Sequence, residues 1–345
     1  MIEIDGSYGE GGGQILRTAL ALSCLTGKAF RIFDIRKGRK KPGLMPQHLV
    51  AVRAAATVAG AGVEGDSAGS MRLCFVPGAV RSSDFQFDIG TAGSVPLVLQ
   101  TVIPPLLFAE GRSTVVLTGG THVPFSPSYH YLAEVFAPML ARLGGRIELS
   151  IDSFGFYPRG GGSVRCTVEA VKNLSPLEIA KPGRMLRVDG ISAVGNLPFE
   201  IARRQRGAAL AVLDEAGIRT EIKLEEVPTP GKGTFVFLRS GTEHALSGFT
   251  ALGVLGKRAE TVGEEAAREL LDYHHSGAAL DPHLADQIII YLALSSGESS
   301  FTTSRITRHL LTNLWVAERF IPFRFTIEGN EGGAGKVLLY GKSGS

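Results

Sequence analysis

The sequence predicts a mixed α/β (α+β) protein: three loose repeats of helices and strands, with a smaller α/β unit set in before the third. Three observations carry this. Segments with apolar residues three and four apart alternate with short apolar–polar runs bounded by glycine, the signatures of amphipathic helices and half-buried strands. That alternation recurs three times along the chain. The rhythm breaks once, at residues 184–276.

The first unit opens with a short strand and a glycine-rich loop. The helix GGGQILRTALALSCLTG follows, then the strand KAFRIFDIR, the helix PQHLVAVRAAATVAGAG and the strand SMRLCFVPG. The second runs from the helix GSVPLVLQTVIPPLLFAEG to the strand STVVLTGG. It continues through the helix SPSYHYLAEVFAPMLARLGG to the strands RIELSIDS and GSVRCTVEAV. The third has the helix DPHLADQIIIYLALSSG, a weak strand ESSFTTS, the helix RITRHLLTNLWVAERF, and the strands FRFTIEG and KVLLYG. The interrupting segment starts after the turn signal KPG. It holds the strand MLRVDGISAVG, the helix PFEIARRQRGAALAVLDEAG, the strands TEIKLEEV and GTFVFLRS, and the helix AETVGEEAARELLDYHHSG. Residues 1–183 and 277–345 are therefore expected to form the repeat domain and 184–276 an inserted domain. Gly and Pro near both junctions suit the two chain crossings an insertion needs.

Composition bounds the function. With 345 residues, 44% hydrophobic and 20% charged, the chain can build a sizeable core and two domains. A net charge of +3 is compatible with an anionic ligand without requiring one. Cys24, Cys74 and Cys166 form no CxxC pair, so neither a disulfide framework nor a zinc site is indicated, and a reducing cytoplasm is expected. The opening MIEIDGSYGE lacks the basic and apolar regions of a signal peptide, and no apolar run reaches the ~18 residues of a membrane span.

Several stretches can carry chemistry. In DGSYGEGGGQILRT, five glycines lie between a strand and a helix, where backbone N–H groups and a helix N-terminus favour an anion. Glu10, inside this loop, is a carboxylate that can hold a divalent metal; the bland alternative is a tight turn with a solvated acid. The spacing matches neither a Rossmann fingerprint nor a Walker A loop, which excludes nucleotide binding by the usual phosphate-loop route. The loop IRKGRKKPGLMPQHL, residues 35–49, holds the densest positive run, and its guanidinium forks suit phosphate oxygens unless it is only a solvated surface. Weaker candidates are the basic ARRQRG at 202–207, the YPRGGGSV turn at 157–164, and Asp286–Gln287 early in a helix. His309 shares a helix face with Thr312 and Asn313, either of which can hold a ring nitrogen. A neutral imidazole of fixed tautomer is a good nucleophile, although a hydrogen-bonded surface histidine fits the same pattern.

Taken together, GSYGEGGGQILRTALALS, RKGRKKPGLMPQHL, GTAGSVPLVLQ, FYPRGGG, HLADQ and RHLLTN are very similar, in the same order, to motifs of the RNA 3′-terminal phosphate cyclases. The resemblance covers essentially the whole chain. It implies three repeats of a sheet packed on two helices, with a smaller α/β domain inserted before the third. It further implies an ATP-dependent enzyme that converts an RNA 3′-phosphate to a 2′,3′-cyclic phosphodiester, with His309 as the nucleophile that carries AMP. Glu10 matches the acid that binds a divalent metal (Mg or Mn). Arg17, Arg36, Arg39, Gln47 and His48 match positions at phosphates and the RNA end. Gln100, Pro127, Phe249, His283, Asp286 and Gln287 match positions lining the adenylate pocket. The chain departs from the pattern at His283, often a tyrosine in bacterial members, at Phe154, often basic, and at His122, frequently an aspartate. Two other readings remain at this level: a non-catalytic relative that acts in ribosome assembly, and an enolpyruvyl-transferase-like enzyme.

Overall fold

A computed structural model describes residues 1–341 of the chain, which form four four-stranded mixed sheets. In the first, β1 (Ile2–Asp5) and β2 (Phe30–Phe33) are parallel, β4 (Leu73–Val76) is antiparallel to β2, and β3 (Gly62–Glu64) closes the edge. Helices α1 (Gly13–Thr26) and α2 (Pro46–Ala59) make the connections; each ends at a left-handed glycine, Gly27 and Gly60, that needs no Cβ there. The second sheet repeats this order with β5 (Asp84–Asp88), β6 (Ser113–Gly119), β8 (Gly162–Glu169) and β7 (Arg146–Ser153). Its first helix is α3 (Val95–Leu107). Its second is broken into α4 (Tyr129–Tyr131), a π-helical turn over Leu132–Phe136, and α5 (Ala137–Arg142).

A third sheet has the same order again. Its parallel first pair is β9 (Glu178–Ile179) and β14 (Glu298–Thr303), followed by β16 (Gly335–Tyr340) and β15 (Arg324–Gly329), with α8 (Pro282–Leu294) and α9 (Arg308–Phe320) as its helices. Strand β9 lies ahead of the segment that breaks the rhythm. The interruption therefore falls inside the third unit, after its first strand, and not before it. Two residues with no periodicity gave no signal of that strand; pairing with β14 alone defines it.

The interrupting segment carries the fourth sheet: β11 (Thr220–Glu226), β10 (Met185–Gly195), β12 (Gly233–Thr242) and β13 (Leu246–Leu252). Helices α6 (Glu200–Glu215) and α7 (Ala259–Ser276) pack on it and on each other around a separate apolar cluster that includes Val236, Leu238, Phe249, Val262 and Leu270. The helices of the three repeated units meet centrally, α1 against α2, α3 and α9, and α8 against α3 and α9. Helix α3 is buried at every position except Gln100. Strands β3, β5, β9 and β13 were not expected from the sequence: they are short, or they read as turn.

At the α6–α7 contact, a Cβ on Gly263 would stand 2.1 Å from the Gln205 carbonyl oxygen and 2.9 Å from the Ala209 nitrogen. In an exposed helix Gly→Ala gains ~1 kcal/mol from propensity. Here backbone would have to move, and overpacking of this kind costs about 1–3 kcal/mol. Gly263→Ala is therefore expected to lower the urea midpoint; an unchanged or raised midpoint would show that the helices can separate without cost.

Candidate active site

The ends of several elements open on one cavity of about 630 Å³. The glycine loop before α1, the Arg36–Gly43 loop and the starts of α2, α8 and α9 supply its charged and polar lining. Helix α3, the loop before α4 and strand β13 of the inserted sheet supply most of the rest. Glu10, Arg17, Arg36, Arg39, Gln47, His48, Gln100, Pro127, Phe249, His283, Asp286, Gln287 and His309 all line this cavity. Sequence positions near 10, 40, 100, 127, 249, 285 and 309 thus converge on a single space.

His309 sits in the first turn of α9, whose N-cap, Thr307, accepts a hydrogen bond from the Leu310 N–H. The helix starts three residues later than the sequence pattern implies, because Ile306 bridges to Glu331. Neither Thr312 nor Asn313 holds the ring. Instead Nε2 is paired with Glu10 Oε2, and Nδ1 lies 3.7 Å from Asp286 Oδ2. Side chains four apart on a helix run side by side, and Asn313 is committed elsewhere. Its carbonyl oxygen accepts from the Thr18 hydroxyl at 2.7 Å, and its amide donates to the Asp286 carbonyl oxygen at 2.7 Å. Burial pushes the His309 imidazole below its usual range; Glu10 opposes this, and Arg17 and His283 add to it. Asp286 accepts from the Thr307 hydroxyl at 2.5 Å, and burial drives its carboxyl well above the usual range.

Cations surround Glu10. Arg39 reaches its Oε1 at 3.0 Å and its carbonyl oxygen at 3.1 Å, tying the basic loop to the glycine loop. Burial lowers Arg17 to about 10, a drop its neighbour Glu10 partly offsets. His48 is a neutral donor rather than a cation. Burial, then Arg17 and Arg36, lower it to about 3, and its Nδ1 accepts from the Met45 N–H at 3.1 Å. The proton therefore resides on Nε2. That nitrogen faces Gly13, where an added Cβ would be 2.2 Å away, so only glycine fits. Arg36 is partly a loop fastener, its Nη1 donating to the Lys41 and Gly43 carbonyl oxygens at 2.7 and 2.8 Å. Gln47 accepts from the Ser94 N–H at 3.1 Å, at the start of α3.

The apolar lining includes Leu97, Pro127, Tyr131, Phe249 and Ile290. His283 stands edge-on to Tyr131, with ring centroids 6.0 Å apart at 90°. The Tyr131 hydroxyl donates to Asp281, the N-cap of α8, at 2.8 Å. Tyr131, Glu269 and Gln14 line the cavity but were not singled out from sequence. Gln14 directly follows the glycine run and was legible there; the others gave no signal apart from their neighbours.

Phe154 and His122 lie outside this lining. His122 is buried, with Nε2 2.9 Å from His130 Nδ1 and Nδ1 2.9 Å from the Thr121 hydroxyl. Its ring stacks on Phe235 of the inserted sheet at 4.1 Å and on Phe154 at 5.3 Å. The ARRQRG helix also faces away from the cavity, where Arg204 pairs with Glu260 at 2.8 Å. The YPRGGG turn rests on the inserted segment, Gly161 beside Pro230.

Burial lowers His130 to about 4. Against an unfolded value of ~6.5, its neutral form contributes stability that is complete above about pH 6.5 and is lost as pH falls towards 4, up to ~3 kcal/mol for a shift of this size. Denaturant midpoints measured between pH 7 and 4 should fall for the wild type and fall less steeply for His130→Gln. Parallel slopes would remove His130 from the acid response.

The family profile for RNA 3′-terminal phosphate cyclase matches residues 8–327. Among curated proteins, the RNA 3′-terminal phosphate cyclase of Methylococcus capsulatus is 49% identical over 99% of this chain and 97% of its own. Those of Methanopyrus kandleri (46%, 96% of each chain) and Nostoc punctiforme (44%, 93% and 94%) are similar along nearly their whole lengths. A solved EPSP synthase structure from Acinetobacter baumannii aligns with 99% of this chain and 65% of its own at 12% identity and a TM-score of 0.36, too distant a likeness to bear on function. With a matching profile and near full-length relatives, this chain belongs to the RNA 3′-terminal phosphate cyclase family.

Proposed function

We propose that the protein uses ATP to convert an RNA 3′-phosphate into a 2′,3′-cyclic phosphodiester, with His309 carrying AMP between the two substrates. The observation that carries this reading is the convergence of an imidazole, a carboxylate, Arg17, Arg39 and a neutral His48 donor in one cavity. That cavity also offers Phe249, Pro127, Tyr131 and His283 as surfaces for a flat base.

The donor set fits a divalent metal brought in with the triphosphate. Glu10 supplies one carboxylate, and Gln14 Oε1 is buried with no hydrogen-bond partner. Among the described residues no group of three or more His, Cys, Asp or Glu could hold a metal alone, so phosphate oxygens would complete the shell, as is common for Mg²⁺. Such a metal supplies charge neutralisation on the phosphates. With Glu10 engaged on such a metal, the Nε2 lone pair of His309 would be free, and Asp286 Oδ2, 3.7 Å from Nδ1, supports the tautomer protonated there. Nε2 attacks the α-phosphorus, an N–P bond forms, and diphosphate leaves. An oxygen of the RNA 3′-phosphate attacks the same phosphorus and takes AMP from the ring. The ribose 2′-hydroxyl then attacks the RNA phosphorus, loses its proton and expels AMP. This last step needs little from the protein beyond orientation, because the hydroxyl is already adjacent. A DNA end lacks it and stops at the adenylated stage. Gln287 Oε1, also buried without a partner in the cavity wall, would accept from the adenine amino group on this reading. An intact His309 between two carboxylates favours this enzyme over a non-catalytic relative.

Incubation with labelled ATP and a divalent metal should leave acid-labile AMP on His309, located by mass spectrometry. His309→Ala should abolish both this label and ATP-driven cyclisation, while still cyclising RNA supplied already adenylated. Substantial ATP-driven turnover by the variant would remove His309 from the mechanism.

A further inference from the structure

Tyr8, Trp315 and Arg319 form a stack that the proposed chemistry does not use. The Tyr8 ring lies parallel to the Trp315 ring, with centroids 3.9 Å apart at 8°. The Arg319 guanidinium carbon is 3.5 Å from the Trp315 ring, held there by an Nη1 hydrogen bond of 2.6 Å to the Trp315 carbonyl oxygen. Two planar groups at these distances cannot share one face, so Trp315 is sandwiched between them. Tyr8 is the outer layer. It is 41% exposed with one face covered, and its hydroxyl makes no hydrogen bond among the described residues. A single exposed aromatic needs no partner of its own; what sets Tyr8 apart is the ring it stacks on. Here the ring is prestacked on a cation-backed indole, the rigid, polarised platform that suits a nucleobase.

Its position fits the RNA end better than ATP. Tyr8 stands two residues before Glu10, which contacts His309, and it is not part of the cavity lining. Gly9 packs so closely on α9 that a Cβ there would be 2.5 Å from the Thr312 hydroxyl oxygen, which fixes the loop on that helix. Arg39 fastens the adjacent basic loop to the same segment, and Lys40 and Lys41 of that loop are exposed with no ion-pair partner among the described residues. An RNA strand whose 3′-phosphate reaches His309 would pass these cations with its backbone.

We propose that Tyr8, braced by Trp315 and Arg319, is a stacking platform for one of the last two nucleobases of the RNA, and so a binding determinant for the acceptor strand. This rests on the cyclase reading above. It is a sequence-tolerant contact, because every base has a π face.

The test uses the full-length protein and synthetic 3′-phosphorylated RNAs: one intact, one abasic at the terminal nucleotide and one abasic at the next. Base–aromatic stacking of the usual strength predicts that Tyr8→Ala raises the KM for intact RNA about tenfold. Tyr8→Phe should restore it. One of the two abasic RNAs should bind the wild type as weakly as intact RNA binds Tyr8→Ala, and should be insensitive to that substitution. A loop that has merely lost its shape would raise KM for all three RNAs alike, and that result, or no change in KM, would overturn the platform. If the wild type cyclises none of these RNAs, the functional reading itself fails and the platform falls with it, a result distinct from an unchanged KM in a working enzyme.

Discussion

The site depends on a buried hydrogen-bonded seam between three helices. Asn313 of α9 accepts from Thr18 of α1 and donates to the backbone of Asp286 in α8. All three residues are buried, so a missing partner would leave a polar group in an apolar interior at a cost of about 1–3 kcal/mol. The amide is asymmetric, with one donor end and one acceptor end. It therefore sets the relative register of the helices as well as their proximity. Gln14 adds a second tie, donating to the His309 carbonyl oxygen at 3.0 Å. With α1 and α9 locked in this way, the glycine loop ahead of α1 can only project across the first turn of α9, and Glu10 meets His309.

Around that contact the protein arranges charge economically. Arg17 and Arg39 are positive, His48 is neutral with its proton on the ring nitrogen that faces Gly13, and the His309 imidazole is pressed towards neutrality by burial. A polyanion entering such a site meets two fixed cations and an oriented neutral donor. The carboxylates are divided in the same way. Glu10 is half-exposed among cations, while Asp286 is buried, with Thr307 on one oxygen and the ring of His309 beyond the other. Their surroundings suit them to different tasks: Glu10 is open to a ligand, and Asp286 is held beside the ring.

The inserted sheet is part of the cavity as well as an appendage. Phe249 anchors in that unit's own core beside Tyr273 and also lines the cavity, so the unit's placement shapes the pocket. Its junction with the second unit includes the aromatic packing of His122, Phe154 and Phe235, with the Phe154 N–H donating to the Pro228 carbonyl oxygen at 2.7 Å. His122 and Phe154 therefore serve apolar contact between units. They leave the reactive centre untouched.

The sequence by itself determined the helices and most of the longer strands, because apolar period and glycine punctuation are local properties. It also brought forward the glycine loop and the basic loop as stretches suited to an anion, since each carries its pattern within a few positions. What it left open was decided by tertiary structure. Strand β9 exists only through its pairing with β14, so the point of insertion is invisible locally. The partners of His309 come from residue 10 and from another helix, whereas a helix face offers only residues three and four away. The proton position on His48 follows from a backbone N–H three residues earlier that becomes a donor only when α2 is capped in this way. Tyr8 and Trp315, unremarked as separate residues, become a stack only when the two ends of the chain are packed together. Apart from the local contact at His48, the deciding contact joins residues whose separation along the chain carries no information about their separation in space.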